Sequence, residues 1–243
     1  MIEIRQLHQF NEFEDAVRLQ QTIWGFADVE MLPMRSFVVS GNVGGQLFGA
    51  YDGGEMVGFL IAVPGIKPGP RPYLHSHMLG VLPAYRDAGI GRRLKLRQRE
   101  EALERGIELI EWTFDPLEIK NAFFNIERLG AIVRWYSENQ YGVTDSPLHG
   151  GLPTDRLIAE WWLDSPRVRA VLAGEAVARS TKEAERIVYP ADMARIRRED
   201  PGRAREIQRT NGKKFQRAFE RGLAVTGFER SETEGTYLLE PWP

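Results

Sequence analysis

The sequence predicts an α/β (α+β) protein, and three observations carry that prediction. Short runs with a period of two alternate along the chain with runs of helical period. Asp52-Gly53-Gly54 separates two such period-two runs, as the turn of an antiparallel hairpin does. The strand-like runs stay apart from the helical ones, with Pro, Gly and Asp clusters at their junctions.

In order, residues 2–7 alternate as a first strand, and Phe10, Phe13, Val17 and Leu19 through Trp24 recur as a helix. Pro33 opens a second short helix that ends near Gly41. Gln46–Tyr51 and Met56–Pro64 form the hairpin, a Pro/Gly loop follows at 65–72, and Tyr73–Val81 reads as the next strand. Residues 89–106 form a charged helix and Ile107–Phe114 a buried strand, stopped by Asp115-Pro116. Asn121–Leu129 reads as a short helix closed by Gly130, and Ala131–Ser137 and Arg156–Leu163 as two strands joined by a polar loop at 142–155. The last third adds helices near 166–178 and 201–221 and strands at Arg186–Tyr189, Leu223–Phe228 and Thr236–Leu239. The reading is therefore a first domain over 1–164 and an α/β extension over 165–243, with the pairing of the extension left open.

The chain has 243 residues, 42% hydrophobic and 27% charged, with a formal net charge of -2. That is enough chain for a sizeable core, and it gives no overall electrostatic case for nucleic acid or an anionic membrane. The absence of cysteine excludes disulfides, thiolate metal sites and a cysteinyl acyl intermediate. Histidines and carboxylates lack metal-ligand spacing, so no metal is expected. No apolar run approaches the roughly 20 residues of a membrane span, and the expectation is a cytoplasmic protein. Residues 197–221 hold nine Lys/Arg against four Asp/Glu, but Ala204, Ile207, Phe215, Ala218 and Phe219 give them an apolar face, as in a helix packed on a sheet. The six tryptophans are scattered and form no stacking ladder for bases.

The most informative segment runs Leu79-Gly80-Val81-Leu82-Pro83-Ala84-Tyr85-Arg86-Asp87-Ala88-Gly89-Ile90-Gly91-Arg92. It is a strand, a turn and the opening of a helix. A helix N-terminus offers unpaired N–H groups and the positive end of the macrodipole, so the turn is suited to a pyrophosphate. Gly89 and Gly91 let phosphate reach the amides, and Arg86 and Arg92 add charge nearby. It is neither G-x-G-x-x-G nor a Walker loop.

These residues closely resemble the signature of the GNAT acyltransferase superfamily, in which a strand ending in L-x-V-x-P is followed by an aromatic residue, R-x-x-G-x-G and a long helix. The resemblance implies a mixed, mostly antiparallel central sheet flanked by helices, with the fourth and fifth strands splayed. It implies acetyl-CoA or another acyl-CoA as co-substrate, its pantetheine paired with the strand backbone at Leu79, Gly80 and Val81 and its pyrophosphate on Arg86, Asp87, Ala88, Gly89, Ile90, Gly91 and Arg92. Asn121-Ala122-Phe123-Phe124, followed by Arg128-Leu129-Gly130, looks like the family's helix after the fifth strand, which assigns Asn121 and Phe124 to the coenzyme. The C-terminal third is similar to that of a bacterial branch of acetyltransferases.

Aminolysis of a thioester needs a neutral amine, a proton acceptor and donors for the oxyanion. His75 and His77 lie two apart on a predicted strand and so share a face, with Leu79 continuing it. The string His75-Ser76-His77-Met78-Leu79-Gly80-Val81 resembles the H-x-H-x-L-x-V segment of arylalkylamine N-acetyltransferases, which makes His77 the candidate base, assisted by His75. The alternative is two histidines satisfied by polar neighbours. Many family members carry a Tyr at the position of Ile126; Tyr136, Tyr141 or water are the substitutes here. Glu111 and Asp115 are the carboxylate alternatives for base or amine binding, and Arg35, Arg134 and Arg156 are candidates to clamp a carboxylate if the acceptor is an amino acid. The expected acceptor is a primary amine of a small molecule, bound under the segment 24–34 and the loop 142–155. The competing readings are a non-catalytic acyl-CoA-binding module and a protein N-acetyltransferase; the oligomeric state is open, a homodimer included.

Overall fold

The computed structural model describes residues 1–26, 28–67, 71–142, 150–177 and 184–242. Much of the expected 65–72 and 142–155 loops, with His149, lies outside them. The chain divides into two compact units, Met1–Glu111 and Trp112–Pro243.

In the first unit the order is β1 (Glu3–Gln6), α1 (Phe10–Trp24), α2 (Met34–Asn42), β2 (Gln46–Asp52), β3 (Glu55–Ile66), β4 (Pro72–Val81), α3 (Ile90–Glu104) and β5 (Leu109–Phe114), the last crossing into the second unit. Strands β1 to β4 pair antiparallel with their sequence neighbours, and β5 joins β4 in parallel. Each element follows from its sequence. Gln9 and Glu12 close the N-terminus of α1 as a capping box, with the Glu12 carboxylate accepting from the backbone N–H of His8 at 2.7 Å and of Gln9 at 2.9 Å. Gly25 ends that helix in the left-handed conformation. Phe13, Ile23, Phe37, Phe59 and Ile61 form the core between α1, α2 and the sheet, where the Phe59 ring lies 5.8 Å from Trp24 and 6.0 Å from Phe37.

The second unit contains α4 (Ile119–Phe123), β6 (Ile132–Ser137), β7 (Arg156–Trp162), α5 (Pro166–Ala173), β8 (Glu185–Pro190), α6 (Met193–Glu199), α7 (Pro201–Glu220), β9 (Leu223–Arg230) and β10 (Glu234–Pro241). Here β7, β6, β9, β10 and β8 are neighbours in that order, and the pairs with a residue register are antiparallel. The question the sequence left open is answered by β9, which pairs with β6 at Val225 and Val133. Helix α7 lies against β6, β8 and β9, and its Phe215 ring packs 5.8 Å from Tyr136 and 5.1 Å from Tyr237.

Two local expectations are corrected. The helix over 121–129 is α-helical only to Phe123; Phe124–Arg128 is a π turn, marked by the Leu129 N–H donating to the Phe124 carbonyl at 3.1 Å. The helix near 166–178 ends at Ala173 because Gly174 takes a left-handed cap. The short helix α6 has no counterpart in the sequence reading.

Replacing Phe59, which is fully buried, by Ala removes a ring from a close-packed core. Urea denaturation should show a loss of about 3–5 kcal/mol.

Candidate active site

The centre of the site is β4. Its parallel pairing with β5 covers Leu74 with Ile110 and His75 with Glu111. Beyond His75 the pairing of β4 is with β3, continuing to Val81. The Leu82 N–H donates to the Val57 carbonyl at 2.9 Å, so by strand alternation Gly80 also faces β3, while Leu79 and Val81 direct their N–H and C=O groups to the open side. The resemblance implies an interruption of this pair, and the register with β5 ends at His75.

At the end of β4 the chain makes a 3-10 turn at Pro83–Tyr85 and enters α3 through an exposed stretch, Arg86 to Gly89. Asp87 has φ 63°, a left-handed conformation uncommon outside glycine. Gly89 is the N-cap of α3 with φ 75°, and a Cβ there would meet nothing within 4 Å. The glycine is required by the backbone conformation, and the space above it is open to a ligand. No side chain caps α3, and its first ladder bond runs from the Arg93 N–H to the Gly89 carbonyl at 3.1 Å. The N–H groups of Ile90, Gly91 and Arg92 therefore precede the ladder. The first turn has no carboxylate, and Arg92 and Arg93 follow it, an arrangement adverse to the macrodipole until an anion arrives. By contrast Ser165 and Asp200 cap α5 and α7 by accepting from Val168 and Arg203.

Arg86 folds back, its guanidinium donating to the Ile23 carbonyl at 3.4 Å. Gly91 has room for a methyl group, 3.5 Å from Leu79. Gly80 has none: a Cβ would sit 2.6 Å from Trp24 and 2.8 Å from Ile23, so its missing side chain lets α1 pack on the strand. Asn121 is exposed on α4 and Phe124 half-buried in the π turn, both in the second unit.

The histidine strand carries a β-bulge. Met78 pairs with Ile61 and Ser76 with Ala62, so His77 is the extra residue of β4. The bulge changes which side chains share a face. Ser76 accepts from Lys95 Nζ of α3 at 2.9 Å and Leu79 also lies toward α3, whereas Met78 and Gly80 pack toward α1. The expectation that Leu79 continues the face of His75 is thereby corrected. The two imidazoles do remain adjacent, 6.3 Å between ring centroids, with His77 exposed and His75 partly buried.

Desolvation, then His77 and the ammonium groups of Lys95 and Lys67, lower the His75 pKa to about 4; desolvation also lowers His77. These shifts favour the neutral form of both rings. Burial drives the Lys95 pKa well below its ordinary value; its Nζ also donates to Gln98 Oε1 at 3.1 Å.

Glu111 is buried beside His75 and binds Lys67, whose Nζ lies 2.6 Å from Oε2. Asp115 serves a turn, accepting from the Leu117 N–H at 2.8 Å, and pairs with Arg197 at 3.2 Å. Arg134 is engaged by Glu160 through two bonds of 3.1 and 2.7 Å, and Arg156 is buried with its guanidinium on the Asp155 carbonyl at 2.9 Å; neither is presented as a carboxylate clamp. Arg35 is exposed on α2. Tyr136 donates to Asp155 and stacks on Phe215, and burial raises its pKa, so it is a packing residue and not a proton donor. Tyr141 is exposed, its hydroxyl 3.0 Å from Thr113 Oγ1. Ile126 is fully buried. Sequence reasoning missed Lys67 and Lys95, and no local pattern marks either.

The strand thus loses its β5 partner after His75 and leads to a basic helix N-terminus that no side chain caps, with two adjacent imidazoles on the strand. Residues 10–130 match the model of the Acetyltransferase (GNAT) family, and the chain carries a GNAT domain, that of a CoA-dependent N-acetyltransferase. Among solved structures it is similar to the ribosomal-protein-S18-alanine N-acetyltransferase from Escherichia coli, with 19% identity and TM-score 0.54 over 68% of this chain and 96% of the other. It is also similar to Arabidopsis thaliana NAA60, solved with a bisubstrate analogue (16%, TM-score 0.53, 67% and 99%), and to aminoglycoside 6'-acetyltransferase type Ii (20%, TM-score 0.52, 67% and 98%). No match was found among curated proteins. Among the described residues no helix is long and apolar enough to cross a membrane.

The depressed His75 pKa has a stability consequence. The unfolded chain takes up the proton near the ordinary value of about 6.5 and the folded chain only near 4, so stability should fall as pH drops through that window and level off below it. Chemical denaturation of the protein and of His75→Gln at a series of pH values checks this: the variant should show the shallower slope.

Proposed function

We propose that this chain transfers an acyl group, acetyl first among them, from acyl-CoA to a primary amine of a small molecule, by direct attack of the amine on the thioester. The observation that carries the reading is the open edge of β4, which runs from the His75/His77 pair to the uncapped start of α3. In this reading the N–H groups of Ile90, Gly91 and Arg92, with the turn Arg86-Asp87-Ala88-Gly89, receive the pyrophosphate, and the outward backbone of Leu79 and Val81, flanking Gly80, pairs with the pantetheine. The helix dipole and Arg92 then stabilise the phosphate charge.

When bound, acyl-CoA supplies an activated carbonyl whose leaving group is a thiolate. His77 holds the place of general base: exposed, with a lowered pKa and therefore unprotonated, it accepts the proton from the amine nitrogen as the N–C bond forms and the C–S bond breaks. His75, less exposed and harder to protonate, orients and relays. With Ile126 in the core and Tyr136 committed to Asp155, Tyr141 and water are left as proton sources for the thiolate, whose conjugate-acid pKa of about 8.5 also permits unassisted departure.

Calorimetric titration with acetyl-CoA and, in parallel, succinyl-CoA should show micromolar binding of at least one; no binding of either overturns the coenzyme assignment. Gly89→Val should weaken that affinity, because the left-handed backbone is strained by a β-branched residue whose methyl groups occupy the approach to the amides. His77→Ala should lower kcat by about 10²–10⁴ with little change in acetyl-CoA affinity, measured by thiol release. A parallel loss of affinity would assign His77 a structural part.

A further inference from the structure

One face of β4 presents more than the histidine pair. Tyr73 and His75 are two apart ahead of the bulge and share a face, and Glu111 is the parallel partner of His75, so its side chain leaves the sheet on that same face. Glu111 is 4% exposed, a carboxylate that burial would penalise heavily without a cation. The cation is Lys67, at the end of the segment following β3 and 44 residues away in sequence. Its Nζ lies 2.6 Å from Glu111 Oε2 and 5.1 Å from the centre of the Tyr73 ring. The lysine side chain is 48% exposed against 5% for the glutamate, so the ammonium reaches in from solvent toward a fixed carboxylate.

A buried carboxylate, an aromatic face and a neutral imidazole are what recognise a primary ammonium group: charge pairing, cation–π attraction and a ring that neither repels the cation nor competes for the carboxylate. The bound group is itself a primary ammonium on an unbranched alkyl chain. We infer that Glu111, Tyr73 and His75 form the subsite for the acceptor's ammonium group, that Lys67 fills it in the free chain, and that an unhindered alkylammonium acceptor enters by displacing Lys67. This rests on the reading of the acceptor as an amine and narrows it. An α-amino acid is disfavoured because its carboxylate would meet Glu111. The arriving ammonium stands beside His75, with His77 6.3 Å further along the strand, so the proton it must shed has an acceptor at hand. Lys67 acts as an internal competitor that only a cation able to replace its charge can expel.

The test needs no coenzyme. The full chain and the variants Lys67→Met, Lys67→Arg and Lys67→Met with Glu111→Gln are titrated calorimetrically with n-butylammonium chloride and with glycine, each checked by thermal melting. Lys67→Met should bind n-butylammonium at least tenfold more tightly than the unaltered chain; Lys67→Arg, which keeps a cation, should stay within about twofold of it. Adding Glu111→Gln should abolish the gain, and glycine should gain nothing in any variant. Equal affinity in the unaltered chain and Lys67→Met, or a gain that survives Glu111→Gln, overturns the subsite; tighter binding of glycine than of n-butylammonium overturns the acceptor class. Should Lys67→Met melt early, Lys67→Gln makes the same comparison. Acetyl-CoA titration decides the coenzyme reading separately, so the failure of one is distinguishable from the failure of the other.

Discussion

The pairing of β4 with β5 lasts for two residues and then stops, and the rest of the site depends on that interruption. A strand with a missing neighbour has backbone groups that need a partner. In β4 these belong to Leu79 and Val81, and they lead toward a helix whose own first N–H groups lack a cap. In the proposed reading these groups, with the Val81 carbonyl also 3.5 Å from Arg86 Nε, form a track for an extended ligand with an anionic end. The residues that would ordinarily quench such a track are absent from it: no carboxylate lies in the first turn of α3, and no side chain caps it.

The bulge at His77 works with this interruption. It gives the histidine an unpaired place on the strand and lets residues of both parities meet α3, Ser76 through the Lys95 ammonium and Leu79 through contact with the helix start. Lys95 is buried, so the strand is tied to α3 by a polar bond in a layer that also buries Gln98. On the opposite face the charged and titratable groups stand together: the two imidazoles, Glu111 and Lys67.

Most of the fold was legible because its strands and helices keep their own periods. Asp52-Gly53-Gly54 marked the hairpin of β2 and β3, and the glycine turn before α3 marked an element boundary. The bulge was not legible, since a single extra residue between half-buried neighbours leaves the apolar pattern of β4 nearly unchanged. Glu111 was named, but its pairing with Lys67 was beyond reach for another reason: 44 residues separate them, and a lysine near a Pro/Gly loop looks like any solvated charge. Lys95 sits in a helix whose many charges hide the one that points inward. Arg134, Tyr136 and Asp115 were named for chemistry and proved to be occupied by Glu160, Asp155 and Arg197, partners that only tertiary packing reveals.

The pairing of β9 with β6 bears on how much of the chain can be removed. Strand β6 has β7 on one side and β9 on the other, with Tyr136 stacked on Phe215 of α7. A chain cut after Asp164 would keep β6 and β7 and lose β9 and α7, baring the Val133 edge of β6 beside the ring of Tyr136. Bared strand edges are open to strand addition by another molecule. The last third is therefore part of what covers β6, and a shortened chain presents a different surface rather than a smaller copy of the same one.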